Sequence, residues 1–151
     1  VFFFLNFLSL SMFLVADVLR KQEMWKDAEE LYTLALKRLE ALFGTNHPQI
    51  GDTCNALGML KKKQGQYTEA LAYYQRATKI IRHFYGPEHP TLGPVLVNIG
   101  DVWRKTADFD QAVSAYTKAQ ALLEAGFGPD HIEVAEVLNS LGLVEVKKKK
   151  E

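Results

Sequence analysis

The sequence repeats itself every 42 residues, and that period restricts the chain to folds built by stacking one small unit on copies of itself. Asn46-His47-Pro48 returns as Glu88-His89-Pro90 and again as Asp130-His131-Ile132. The same interval joins Trp25, Tyr67 and Phe109; Ala28, Ala70 and Ala112; Tyr32, Tyr74 and Tyr116; Ala35, Ala77 and Ala119; and Gly44, Gly86 and Gly128. A unit this short cannot bury its apolar face alone, so each must cover its neighbour, and arrays of this kind usually hold partners.

Each unit reads as two helices joined by a short turn. In the middle unit Tyr67, Ala70, Leu71, Tyr74, Ala77, Ile80, Ile81 and Phe84 follow the i, i+3, i+4, i+7 spacing of one buried helical stripe. The next unit repeats it from Phe109 to Leu123, and the preceding one from Trp25 to Leu42. Recurrent alanines allow close helix approach, where larger side chains would overpack. The first helices of the units are expected at about 48–63, 90–105 and 132–148, with Pro48 and Pro90 at opening positions. Gly65 marks a turn that needs an unusual dihedral, and Ala107 in its place predicts a different turn in the next unit. Asp108 with Gln111 has the spacing of a capping box.

Eighteen basic side chains balance 18 acidic ones, so no global field draws the chain to nucleic acid or an anionic membrane. The single cysteine, Cys54, permits no internal disulfide, fits a reducing, cytoplasmic setting, and reads as a small buried hydrophobe in the phase of Leu96 and Leu138.

Residues 1–16, VFFFLNFLSLSMFLVA, carry no charge. They are short of the roughly 20 residues of a membrane span and lack the basic flank of a signal peptide. A first-repeat helix, a membrane or signal segment and a truncated start all remain open. The repeat register favours the first, because Val15-Ala16 falls in phase with Leu57-Gly58, Ile99-Gly100 and Leu141-Gly142. The expected divisions are 1–16, then 17–46 as the rest of repeat 1, 47–88 as repeat 2, 89–130 as repeat 3, and 131–151 as the first helix of a fourth unit. The chain thus reads as part of a longer array.

Asn55-Ala56-Leu57-Gly58, Gly65-Gln66-Tyr67-Thr68-Glu69-Ala70, Tyr74, Ala77 and Gly86-Pro87-Glu88-His89-Pro90 resemble the 42-residue tetratricopeptide repeats of kinesin light chains and nephrocystin-type proteins. The resemblance covers most of the chain and implies an all-α, right-handed α-solenoid of antiparallel helix pairs. Lys61 and Glu145 stand where that family favours an aromatic, Glu23 and Ala107 where it favours glycine, and Ile132 where it has proline. The resemblance also implies that the first helices line a concave groove. Their candidate peptide-binding residues are Asn55, Met59, Lys62 and Lys63; Asn98, Asp101, Arg104 and Lys105; and Asn139 and Lys147. A basic pair recurs in one phase as Arg20-Lys21, Lys62-Lys63 and Arg104-Lys105, with Val146-Lys147 following. Asparagines two turns earlier offer donors and acceptors to a peptide backbone. Together they suit an extended acidic peptide, although cations in a last helical turn also compensate the helix dipole with no ligand.

No enzymatic constellation emerges. His47, His89 and His131 lie in successive units, about 8–10 Å or more apart, too far to share one metal at bonds of about 2 Å. They read as order-giving residues of the inter-unit loops. Gly126-Phe127-Gly128 follows a helix and is a helix stop rather than a phosphate loop. No nucleophile has a base and an orienting partner in sight, and no cofactor is expected. The chain is therefore expected to be a non-enzymatic scaffold for a protein or peptide partner, monomeric or weakly self-associating through exposed repeat ends. The alternative is a regulatory or structural repeat region of a larger chain, for example one carrying a nucleotide-binding domain.

Overall fold

The computed structural model describes residues 1–150, with Phe2 described at its backbone only. Its elements are α1 (Phe2–Lys21), α2 (Trp25–Phe43), α3 (Pro48–Lys63), α4 (Tyr67–Tyr85), α5 (Leu92–Lys105), α6 (Phe109–Phe127) and α7 (Ile132–Lys148). Among the described residues there is no strand, and the all-α fold expected from the period is the one observed. The chain divides into two compact units, Val1–Phe84 and Tyr85–Glu151.

In the first unit α1 packs on α2, α2 on α3, and α3 meets α4 through a glycine notch. A Cβ on Gly58 would lie 2.5 Å from Cε1 of Tyr74, so the absent side chain is what lets the tyrosine ring rest on the α3 backbone. Tyr74 is fully buried there, and so are the α3 side chains of Leu57, Leu60 and Ile50. Each of those aliphatic side chains contributes about 1.5–3 kcal/mol by leaving water. The second unit repeats the device, with Gly100 2.7 Å, at its absent Cβ, from Cε1 of the buried Tyr116. In the first helix pair a fully buried alanine, Ala16, stands in that phase, and Phe13 meets the Tyr32 ring at a centroid distance of 5.5 Å. In the second unit α6 packs on both α5 and α7.

The three intra-pair turns are alike. Glu23, Gly65 and Ala107 have φ of 63°, 75° and 63°. In each, the following N–H reaches back to a helix carbonyl: Met24 to Leu19, Gln66 to Lys61 and Asp108 to Trp103, all at 2.9 Å. The different turn expected at Ala107 is therefore not found. The backbone hydrogen bonds and the packing of flanking helices hold alanine in the left-handed region that glycine would occupy without strain.

Helix starts follow the same loop logic with one exception. His47 caps α3 by accepting the Gln49 N–H on Nδ1 (3.3 Å), and His131 caps α7 the same way through Glu133 N–H (3.3 Å). Their rings stack on Phe43 and Phe127 at 4.2 and 4.8 Å, so each imidazole fastens the loop to the helix before it. The expected start of α5 at Pro90 is corrected to Leu92. Pro94 has no N–H to give the Pro90 carbonyl, and that carbonyl accepts from Gly93 (2.8 Å) in a tighter turn instead. Of the capping box at α6 only one arm forms, from Gln111 N–H to the Asp108 side chain, because the Asp108 N–H is already given to Trp103.

One burial expectation also changes. Phe84, at the end of its stripe, is exposed. The segment read as too short to span a membrane continues as one helix to Lys21, and Phe3–Lys21 is long and apolar enough to do so. One side of that helix is nonetheless committed to protein, with Ser9 and Ala16 fully buried.

Candidate functional site

On α3 the candidate residues Asn55, Met59 and Lys62 are half-buried and Lys63 is exposed. Spacings of four, three and one residue place them on one side of the helix, opposite the buried Cys54, Leu57 and Leu60. In the second unit Asn98, Asp101 and Arg104 on α5 are half-buried and Lys105 is exposed, as are Asn139 and Lys147 on α7. The asparagines are not all in register. Val97 is the 42-residue counterpart of Asn55 and Asn139, and Asn98 sits one residue, about 100° of helix, further round.

The first member of the basic pair is tied into structure in two places. Arg104 donates from Nε to the Tyr116 hydroxyl (3.3 Å) and lies 3.6 Å from Asp101, while Tyr116 donates to Asp101 at 2.6 Å. Burial, and after it the hydrogen bond to Asp101, pushes the Tyr116 phenol up to about 12, which keeps it a donor. The same triad stands 84 residues earlier: Arg20 donates to Asp17 through Nε (3.2 Å), and Tyr32 donates to the same carboxylate oxygen (3.3 Å). These triads staple each first helix to its tyrosine-bearing partner. The middle pair has Met59 and Lys62 in those phases, so the staple is specific to alternate repeats. The spacing of Asp17 with Asp101 and Arg20 with Arg104 was a readable signal for it.

Lys61, read from the sequence only as a departure from an aromatic, is a buried ion-pair centre. Its ammonium lies 2.6 Å from Glu29 on α2, 3.2 Å from Glu69 on α4, and 3.0 Å from the Gln66 amide oxygen, to which it donates. The hydrogen bond to Glu29 is the main cause that holds the Lys61 pKa above its usual value. For Glu29, burial alone pulls upward, but hydrogen bonds from Lys61 and Gln64 outweigh it and lower its pKa.

Cys54 is fully buried, and desolvation pushes its thiol up to about 11, as expected of a small core residue rather than a nucleophile. A cleft within the first unit is lined by Ser9, Leu10 and Phe13 of α1, Leu39 of α2, and Gln49, Asp52 and Thr53 of α3. Among the described residues no three His, Cys, Asp or Glu side chains converge as a metal site.

The Tetratricopeptide repeat family profile matches residues 8–83 and, in overlapping register, 52–125. Among solved structures the chain is similar to BtubC (BKLC) from P. vanneervenii, with a TM-score of 0.85 and 21% identity over 93% of this chain, which spans 56% of that one. It is also similar to PcrH, solved in complex with the chaperone binding region of PopD, with a TM-score of 0.69 and 18% identity over 91% of both chains. The N-terminal domain of stress-induced protein-1 (STI-1) from C. elegans gives a TM-score of 0.66 and 13% identity over 93% of this chain and 97% of that one. No curated protein matches the sequence.

Proposed function

The chain belongs to the tetratricopeptide repeat family, and from that premise we propose that it is a cytoplasmic, non-enzymatic interaction module of the kinesin-light-chain type that receives an extended acidic peptide along its first helices. The observation that carries the acidic preference is the recurrence of one exposed cation in one repeat phase, Lys63 on α3, Lys105 on α5 and Lys147 on α7. Asn55, Asn98 and Asn139 supply amides two turns earlier on the same helices, suited to a peptide main chain. Arg104 has a different share in this reading: its bonds to Tyr116 and Asp101 make it a holder of the helix pair first and a ligand contact second. PcrH, solved with a region of PopD, supports a protein partner for a fold of this kind.

The mechanism is display. Within each unit, helix pairs fixed by tyrosine–glycine contacts keep that unit's amides and ammonium groups in place before the ligand arrives, which reduces the ordering cost of binding. The test is titration of a fluorescent Glu/Asp-rich peptide and a neutral peptide of equal length at two salt concentrations. The acidic peptide is expected to bind more tightly and to weaken with salt. Lys63→Gln/Lys105→Gln/Lys147→Gln is expected to remove that preference; equal affinity of wild type and variant for the acidic peptide would overturn the reading.

A further inference from the structure

The largest unexplained feature of the surface is the outer side of α1. Phe3, Phe7, Leu10 and Leu14 are 86%, 65%, 43% and 56% exposed, and Phe4, Val15 and Val18 flank them in the open. The four fall at spacings of four, three and four residues, the 3.5-residue period of a helix–helix seam. Repeat stacking does not account for this stripe. In the 42-residue register Phe3, Phe7 and Leu10 correspond to Thr45 and Pro87, Gln49 and Thr91, and Asp52 and Pro94, which are polar residues or prolines left exposed or half-buried, while Leu14 corresponds to the small, buried Ala56 and the half-buried Asn98. The first unit thus places a seam of large apolar side chains on a side where the other repeats carry small or polar residues and prolines.

We propose that α1 is a dimerisation helix, which pairs antiparallel with α1 of a second copy of this chain. The seam is self-complementary in that orientation. A two-fold axis beside the midpoint of Leu8 and Ser9 sets Phe3 against Leu14 of the other copy and Phe7 against Leu10, so every layer packs one aromatic on one aliphatic side chain. The charges agree: residues 1–16 carry none, and Asp17, Arg20 and Lys21 lie beyond the seam, so antiparallel pairing sends the two basic ends apart where parallel pairing would bring them together. The area is adequate. Exposed phenylalanines offer on the order of 150 Å² each, and with the leucines and valines the face approaches the roughly 800 Å² per partner of a standard interface. A bilayer fits the same face less well. The opposite side of α1 is fastened to α2 by the buried Ser9 and Ala16, the Phe13–Tyr32 contact and the Asp17–Tyr32 hydrogen bond, and residues 1–16 carry none of the lysines and arginines that line the polar face of interfacial helices. The inference is independent of the peptide reading, because it uses none of the proposed peptide contacts.

Sedimentation equilibrium of the full chain at micromolar concentration is expected to give twice the 17.1 kDa monomer mass. Phe7→Glu/Leu10→Glu is expected to weaken association at least 100-fold with helical circular dichroism unchanged, while Leu34→Glu, on the exposed side of α2, leaves the dimer intact. Mixing Phe7→Glu/Leu10→Glu with Phe7→Lys/Leu10→Lys is expected to restore a dimer. A monomeric wild type overturns the proposal, as does equal dissociation by Leu34→Glu or failure of the mixed variants to pair. Co-sedimentation of the wild type with phosphatidylcholine vesicles, lost in the Phe7→Glu/Leu10→Glu variant, gives the face to a membrane and overturns it as well.

Discussion

Glu23 and Ala107 both hold φ of 63°, where a Cβ crowds its own carbonyl, while the third turn of the set uses Gly65 at 75°. The left-handed conformation costs a non-glycine residue about 1–2 kcal/mol, and glycine gives back about 0.4–1 kcal/mol through the freer unfolded chain. Ala107→Gly is therefore expected to stabilise the protein by about 0.5–1 kcal/mol, a rise of about 1–3 °C in Tm for a chain of this size. Gly65→Ala is expected to lose a similar amount. Urea unfolding of the two variants checks the pair, and an Ala107→Gly midpoint at or below wild type would show that the turn is not strained. Side-chain size matters differently at Gly58 and Gly100, whose φ angles are ordinary and whose absent Cβ leaves room for a tyrosine ring.

Helices α2, α3 and α4 meet at one ammonium group. Lys61 is 10% exposed at its side chain, Glu29 31% and Glu69 54%, so only part of the cluster is sealed from water. Lys61→Met is expected to cost about 1–3 kcal/mol at pH 7, less than the ~3–5 kcal/mol of a fully buried pair because Glu69 stays hydrated. The pH dependence has a definite sign. Lys61 has a raised folded-state pKa, so its contribution is complete below the ordinary lysine value of about 10.4 and is lost as pH climbs through the raised one. Glu29 has a lowered pKa, so its contribution is complete above the ordinary value of about 4.3 and is lost as pH falls through the lowered one. The stability gap between wild type and Lys61→Met should be flat near neutrality and shrink at pH 3 and pH 11; a gap unchanged at pH 3 would mean that Glu29 does not feel Lys61. Such a cluster is hard to read from sequence. Glu29 and Glu69 share no period with Lys61, and the contact exists only after three helices pack. What was legible is what recurs: the tyrosine and alanine phases, the histidine loops, and the limits of α3 and α7. The Asp–Arg–Tyr staple recurs too, but at 84 residues, and Met59 and Lys62 interrupt it in the middle pair, so its arginines read as a plain basic stripe.

At the scale of the molecule the charges cancel, 18 against 18, so any salt dependence of binding must come from local contacts rather than from a long-range field. Lys63 belongs to the first compact unit, and Lys105 and Lys147 to the second. Exposed ion pairs contribute about 0.2–1 kcal/mol each, which makes every one of these lysines worth up to about fivefold in affinity. Distant sites without shared partners combine additively in free energy. Lys63→Gln, Lys105→Gln/Lys147→Gln and the triple variant therefore distinguish two modes of recognition. A ligand long enough to engage both units should lose affinity in each variant and by the product of the two losses in the triple. A ligand held by one unit should ignore the substitutions in the other. Arg104→Gln is the control that separates holding from binding: removal of its bond to Tyr116 should lower the urea midpoint, whereas Lys105→Gln should leave it in place. If Lys105→Gln proves as destabilising as Arg104→Gln, the exposed lysines belong to the architecture, and the acidic peptide loses the contacts assigned to it.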